Sequence, residues 1–129
     1  MPATTSVALD QVLQDFFEAV DSIDVDRIAG YLAEDTQSVD ELSRGWLRGR
    51  ANLEEYLRLI KNSVAGIESR LSSVQITEWG DTGLITCVLE QTYRIGGEEQ
   101  QIRAPTSIVC RREDGDWKAV LFHSVPLPE

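Results

Sequence analysis

The spacing of apolar residues along this chain changes once, near residue 66, and that change limits the fold class more than any other feature. Before it the period is helical. Leu9, Val12, Leu13, Phe16, Phe17 and Val20 fall at i, i+3, i+4, i+7, i+8 and i+11, which predicts an amphipathic helix over 6–22, with Ser6 as N-cap and Asp10 in the first turn. A second, short helix is predicted from Asp24 as N-cap through Val25, Ile28, Ala29 and Leu32 to about residue 34. A third is predicted over about 50–64, with Leu53, Tyr56, Leu57, Ile60 and Val64 on one face and Gly66 as its stop. The segment between the last two opens strand-like at 36–39 and then turns polar through Asp40, Glu41 and Ser43 to Trp46.

After residue 66 the period is two. A strand over 67–79 shows a phase slip at Ser72-Ser73, the mark of a β-bulge. The segment 82–95 alternates cleanly, with Ile85, Cys87, Leu89, Tyr93 and Ile95 on one face. Gly96-Gly97 is a hairpin signal, 98–112 a return strand, 113–116 a second turn and 117–125 the last strand. Helices followed by a meander predict an α+β fold with an antiparallel sheet. No linker or internal repeat is visible, so the expectation is a single domain over 1–129.

Turn length sets register. A two-residue turn at Gly96-Gly97 puts Cys87 opposite Thr106, and a four-residue turn over 113–116 puts Thr106 opposite His123. Cys87, Thr106 and His123 are then expected in one row on the apolar, concave face. Cys110 falls about 13 Å along its strand from that row, beyond disulfide reach, so two free thiols are expected. The opposite face carries Val88, Val109, Val120 and Phe122 among polar residues. It needs a cover that the chain's own helices do not supply, which predicts a homodimer through that outer face.

Net charge is -10, from 12 basic and 22 acidic residues. That sign argues against nucleic acid as a partner. No apolar run reaches the roughly 18–20 residues of a membrane span, so no membrane partner is expected. Residues 1–6 lack a basic flank and an apolar h-region, and the cysteines carry no export signal, so a cytoplasmic location is expected. With one histidine and no clustered Cys/His pattern, neither a metal nor a cofactor is expected. Acidic residues crowd 1–42, whereas Arg44, Arg48 and Arg50 follow closely. Two readings stand: a solvated acidic face, or an arginine rim that draws in an anionic or polarised ligand.

Several segments resemble the nuclear-transport-factor-2-like (NTF2-like) superfamily, in its SnoaL-like and ketosteroid-isomerase-like bacterial branch. They are the opening helix over 9–20, the stretch 24–28 before Leu32-Ala33-Glu34-Asp35, the run Arg48-Gly49-Arg50-Ala51-Asn52-Leu53, and the close Asp114-Gly115-Asp116-Trp117 to Phe122-His123-Ser124. The close is also similar to that of the kinase association domains of the same superfamily. The resemblance implies a cone-shaped, cystatin-like fold, three helices packed on a curved antiparallel sheet around an internal pocket, commonly dimeric through the outer sheet face. Ketosteroid isomerases pair a carboxylate base with a tyrosine and a protonated aspartate. Matched ungapped, the base position falls on Asp40, the tyrosine position on Phe16, and the aspartate position on Ser107 or its neighbour Thr106. The resemblance therefore implies a base without its oxyanion donors.

These readings name Asp40 and His123 as candidate catalytic residues, an acid–base pair if they meet in the pocket. Phe16, Tyr31, Trp46, Tyr56, Cys87 and Thr106 are candidate ligand-binding residues. Two functions are weighed. One is a pocket protein for a small, largely apolar molecule, acting as an isomerase, cyclase or dehydratase where it is catalytic. The other is a non-catalytic oligomerisation or interaction module. An open cavity of roughly 300 Å³ or more favours the first, and a cone plugged by Trp46, Phe16 and Phe17 the second.

Overall fold

The computed structural model describes residues 5–128, with side chains from residue 9 onward. Helix α1 (Thr5–Ser22) forms where the apolar stripe lies. The side chain of Ser6, read as its N-cap, lies outside the described residues. Asp24 caps α2 (Val25–Ala29) as expected, its carboxylate accepting a hydrogen bond from the Arg27 N–H at 3.2 Å. The helix then stops earlier than its spacing suggests. The Gly30 N–H closes on Asp26 O, and the chain leaves as strand β1 (Leu32–Asp40). Leu32 and Ala33 are both buried. A strand covered on both faces begins with a continuous apolar run, which spacing alone cannot separate from a helix end.

After β1 come the two-residue strand β2 (Leu47–Arg48) and α3 (Arg50–Lys61), which ends at its cap Asn62. Val64, expected in that helix, instead begins strand β3 (Val64–Trp79). Strands β4 (Thr82–Ile95), β5 (Glu98–Glu113) and β6 (Asp116–Ser124) complete the meander. All six lie in one sheet in the order β2-β1-β6-β5-β4-β3. The expected all-antiparallel sheet is corrected here: β1 runs parallel to β6, so the sheet is mixed, and β1 and β2 precede the third helix.

Two tight turns fix the meander. Gly96 and Gly97 both take positive φ, 59° and 83°, and pair Ile95 with Glu98, so Cys87 faces Thr106 as read. Asp114 and Gly115, at φ 52° and 86°, make the second turn with two residues rather than four, and Arg112 still faces Trp117. In β3 the pairing shifts between Ser72 and Gln75, with Ser73 at φ 52°, which is the bulge seen as a phase slip.

A second bulge was not visible in the sequence, and it moves the site. Val109 pairs with Leu121, whereas Cys110 pairs with Ala119, so Val120 is an extra residue in β6. Every side chain beyond it changes face. Phe122 packs on Phe16 and Phe17 with ring centroids 5.9 and 6.2 Å apart, on the helix side of the sheet. Phe122 therefore does not belong to the outer face, where it was expected. Ser124, not His123, faces Thr106, and His123 pairs with Ser107 on the other side. The outer face is built instead from half-buried Leu84, Val88, Val109 and Leu121.

The core lies between the sheet and the helices. Leu9, Leu13, Phe16 and Phe17 of α1 and Leu53 of α3 pack with Ile85, Leu89, Ile108 and Trp117 of the sheet. At Gly83 the contact is so close that an added Cβ would stand 2.6 Å from Leu9 Cδ1.

Candidate functional site

Strand β1 ends in a carboxylate that turns the chain. By alternation, Ser38 and Asp40 share the face that looks toward α3. Beyond Asp40 the strand has no further partner for its backbone. The side chain supplies one: Asp40 Oδ1 accepts the Leu42 and Ser43 N–H groups at 2.9 and 2.8 Å. Ser43 Oγ in turn accepts the Asp40 N–H at 3.0 Å.

A third donor reaches the same oxygen from α3. Tyr56 lies one turn beyond Leu53 on the helix's inward face, and its hydroxyl donates to Asp40 Oδ1 at 2.7 Å. The next residue, Glu41, is held in the same way from the opposite side. Tyr93, at the end of the inward row of β4, donates its hydroxyl to Glu41 Oε1. Burial, and then the neighbouring carboxylate charge, push the Tyr56 phenol well above its ordinary pKa. Burial and the bond to Glu41 do the same for Tyr93. Both hydroxyls thus stay protonated and act as donors. Adjacent carboxylates on one loop are gripped by tyrosines of a helix and of a strand.

The pair borders a partly enclosed cavity of about 110 Å³. Its walls are apolar, with Phe17, Leu57, Ile60, Leu89 and Phe122 among them, and its polar end holds Ser38, Asp40, Glu41, Gln91 and Ser124. Asp40 and Ser124 are neighbours in the parallel β1–β6 pairing. The Thr106 hydroxyl lies 2.8 Å from Ser124 Oγ and donates to Ala104 O at 3.1 Å. Among the described residues no Lys, Arg or His lines the cavity. The volume is well below the 300 Å³ expectation, and closer to the roughly 150 Å³ of a dry engineered cavity that takes up benzene. Its scale is that of one ring. Phe16 and Phe17 line the space rather than plug it.

Of the residues read as candidates, Asp40, Phe16 and Tyr56 meet at this cavity. The others do not. His123 is on the outer face, its ring centroid 6.1 Å from that of Trp46, so the expected Asp40–His123 pair does not form within the pocket. The cause is the extra residue at Val120. Trp46 is 46% exposed and covers His123, with Arg48 over its ring at 5.9 Å. Tyr31 packs edge-on against Phe16, away from the cavity. Cys87 and Thr106 are buried in the sheet behind it. Arg44, Arg48 and Arg50, read as a rim, are not among the residues that line the cavity; Arg48 bonds Gln37, and Arg50 bonds Leu32 O and pairs with Glu54. Glu41, Tyr93, Ser38 and Ser124 were missed as site residues. Only Tyr93 carried a signal, its place on the apolar row of its strand.

Cys87 and Cys110 are free and buried, and burial pushes the Cys110 thiol up to about 11 and raises that of Cys87. Among the described residues there is no group of three or more His, Cys, Asp or Glu placed to hold a metal, and no helix long and apolar enough to cross a membrane.

Residues 9–128 match the family model of the SnoaL-like domain. No curated protein matches the chain. Among solved structures the chain is similar to a provisionally named calcium/calmodulin-dependent protein kinase II association domain from Xanthomonas campestris. That match has TM-score 0.83 and 17% identity, over 95% of this chain and 87% of the other. A provisionally named dehydratase of the NTF2-like family from Streptomyces avermitilis matches with TM-score 0.84 and 20% identity, over 97% and 98%. A ketosteroid isomerase-like protein from Erwinia carotovora matches with TM-score 0.85 and 12% identity, over 99% and 100%. At these identities the likeness is one of fold.

Proposed function

From the premise that the chain belongs to the SnoaL-like domain family, we propose that it is a small-molecule-binding pocket protein that holds a one-ring, largely apolar ligand with its polar group against Asp40. The observation that carries this reading is the state of the Asp40 carboxylate. Oδ1 accepts three hydrogen bonds, whereas Oδ2 makes none among the described residues. One oxygen is anchored and the other is available at the polar end of an apolar cavity. That is the arrangement a proton acceptor needs: fixed in position, with a lone pair toward the ligand.

The chemistry equipped in this way is proton removal by Asp40 in a reaction of isomerase, cyclase or dehydratase type. Enolate chemistry of the ketosteroid kind is poorly served. Both phenol hydroxyls donate to carboxylates, so neither is left to stabilise an oxyanion. A panel of uncharged one-ring compounds, titrated by amide NMR, tests the pocket. Saturable shifts at 38–42 and around Tyr56 are expected. Saturable shifts confined to other surfaces, or none from any compound, would overturn the reading.

Self-association through the outer sheet face belongs to the same proposal. Leu84, Val88, Val109 and Leu121 are left half-buried there, and exposed Trp46 lies against His123, two residues on from Leu121. One solved relative is described as an association domain. Sedimentation at micromolar concentration should give a dimer, and Val109→Arg a monomer, because the substitution would bury an unpaired charge. A monomeric wild type would refute the interface.

A further inference from the structure

The hydrogen-bonding groups at the polar end of the cavity are mostly acceptors, and this selects the ligand. The reasoning rests on the pocket reading above and extends it to the ligand's polar group. A hydroxyl has one proton to give. Tyr56 gives its proton to Asp40, and Tyr93 gives its own to Glu41. Thr106 donates to Ala104 O, so the proton shared between Thr106 and Ser124 must come from Ser124. Three of the four cavity-lining hydroxyls, those of Tyr56, Tyr93 and Ser124, are left with lone pairs only. Asp40 and Glu41 add carboxylate oxygens with no bonds to them among the described residues. Ser38 is only 3% exposed and lines the cavity, and its hydroxyl makes no hydrogen bond among the described residues. A hydroxyl at the cavity wall without a protein partner, on the same strand face as Asp40, is free to bond a group in the cavity.

Charge points the same way. Two carboxylates border an apolar space that, among the described residues, no Lys, Arg or His lines. An anionic ligand would meet like charge, with only the second Gln91 amide N–H and the Ser38 hydroxyl left to donate to it. A hydroxyl ligand offers one donor to this array. A primary ammonium offers three, and it offsets the cost of holding carboxylates beside apolar walls. We infer that the cavity binds a protonated primary amine carried on a one-ring apolar body, with Asp40 and Glu41 as the counter-charges and the hydroxyl oxygens of Ser38 and Ser124 completing its hydrogen bonds.

Four probes of matched size or charge test this by amide NMR titration: benzylamine, benzyl alcohol, benzoate and methylammonium. Benzylamine is expected to bind about tenfold or more tighter than benzyl alcohol, the ratio typical of a charge-assisted contact. Its shifts should centre on 38–42 and Ser124. Benzoate should not bind, and methylammonium, which has the charge without the ring, should bind far more weakly. Asp40→Asn, which keeps the shape and an acceptor, should lower benzylamine affinity about tenfold while changing benzyl alcohol by less than about threefold. Glu41→Gln is the second variant, should the first disturb the turn. Benzyl alcohol binding in the cavity as tightly as benzylamine, or benzoate binding there, would overturn the amine assignment and leave the pocket reading intact. No ring compound binding in the cavity would overturn both. Benzylamine and methylammonium binding alike, with shifts spread over the acidic helix α1, would identify surface ion attraction and also overturn the assignment.

Discussion

Removing one oxygen from Tyr56 tests whether the site is organised as described. Tyr56→Phe keeps the ring and its packing against the cavity wall and deletes only the donor to Asp40 Oδ1, now 2.7 Å away. A hydrogen bond to a charged group contributes about 1.5–3 kcal/mol net. The low end applies here, because Oδ1 keeps the Leu42 and Ser43 N–H groups and is not orphaned. Deleting the hydroxyl also removes its own desolvation cost. The expected loss is therefore about 1–2 kcal/mol, a sizeable part of the roughly 5–15 kcal/mol that holds a domain together. In a chain of this length it corresponds to roughly 3–6 °C in Tm. Urea unfolding followed by tryptophan fluorescence reads it out, since Trp117 is buried in the core and changes environment on unfolding. The slope against urea should not change. A double-mutant cycle with Asp40→Asn isolates the pair, and a coupling of about 1 kcal/mol is expected. A coupling below about 0.3 kcal/mol would mean that Tyr56 does not hold Asp40, and the account of a fixed, half-occupied carboxylate would fail with it.

Gly83→Ala should destabilise by about 1–3 kcal/mol through overpacking against Leu9, and Leu9→Ala should cost less in that background than alone; additive losses would show that the two do not touch. Neither cysteine should react with a thiol reagent in the native protein near pH 8, because burial raises both thiols, whereas denaturation without reductant should release two; a fast native reaction would contradict their burial. Asp35 is held below the ordinary carboxylate value, 3.8, chiefly by its hydrogen bond to Arg111. A carboxyl lowered in the folded state adds stability above its unfolded pKa and loses it as pH falls through the folded value. The small stability advantage of the wild type over Asp35→Asn should thus be complete above about pH 4–5 and vanish on further acidification; a gap that widens in acid would refute the pairing.

How much of this was legible in the sequence depended on whether a local signal existed. The β4–β5 register was readable because two glycines in sequence permit a two-residue turn, and that turn leaves one pairing. The β3 bulge was readable because the apolar residues on its two sides, Leu71 and then Val74 and Ile76, fall out of phase. The β6 bulge had no such mark. Ala119-Val120-Leu121-Phe122 is apolar throughout, so an added residue leaves no break in the pattern. Strand β1 was half hidden because Leu32 continues the helical spacing of Ile28 and is claimed by the strand only through its parallel neighbour β6. Asp40 could be found by counting along one segment. Its setting could not, since Tyr56 is 16 residues away and Tyr93 lies 52 residues from Glu41. Those contacts exist only after the helix and the far end of the sheet close over one loop.

The extra residue in β6 makes the chemistry of the pocket a matter of parity. Beyond the anchored pair Cys110–Ala119, whether Val120 bulges out or takes a place in the ladder decides whether a hydroxyl or an imidazole looks into the cavity. If Val120 took a regular place in the ladder instead of bulging, every side chain in the chain would be conserved and Leu121 and His123 would still replace Phe122 and Ser124 on the inner face. In a lineage carrying this ending, gain or loss of the bulge with the residue count unchanged would act as a discrete change of what lines the cavity, larger in effect than most substitutions. Two chains that both end in His-Ser can therefore present different groups to their ligands, and aligning the letters alone would assign the histidine to the wrong side of the sheet.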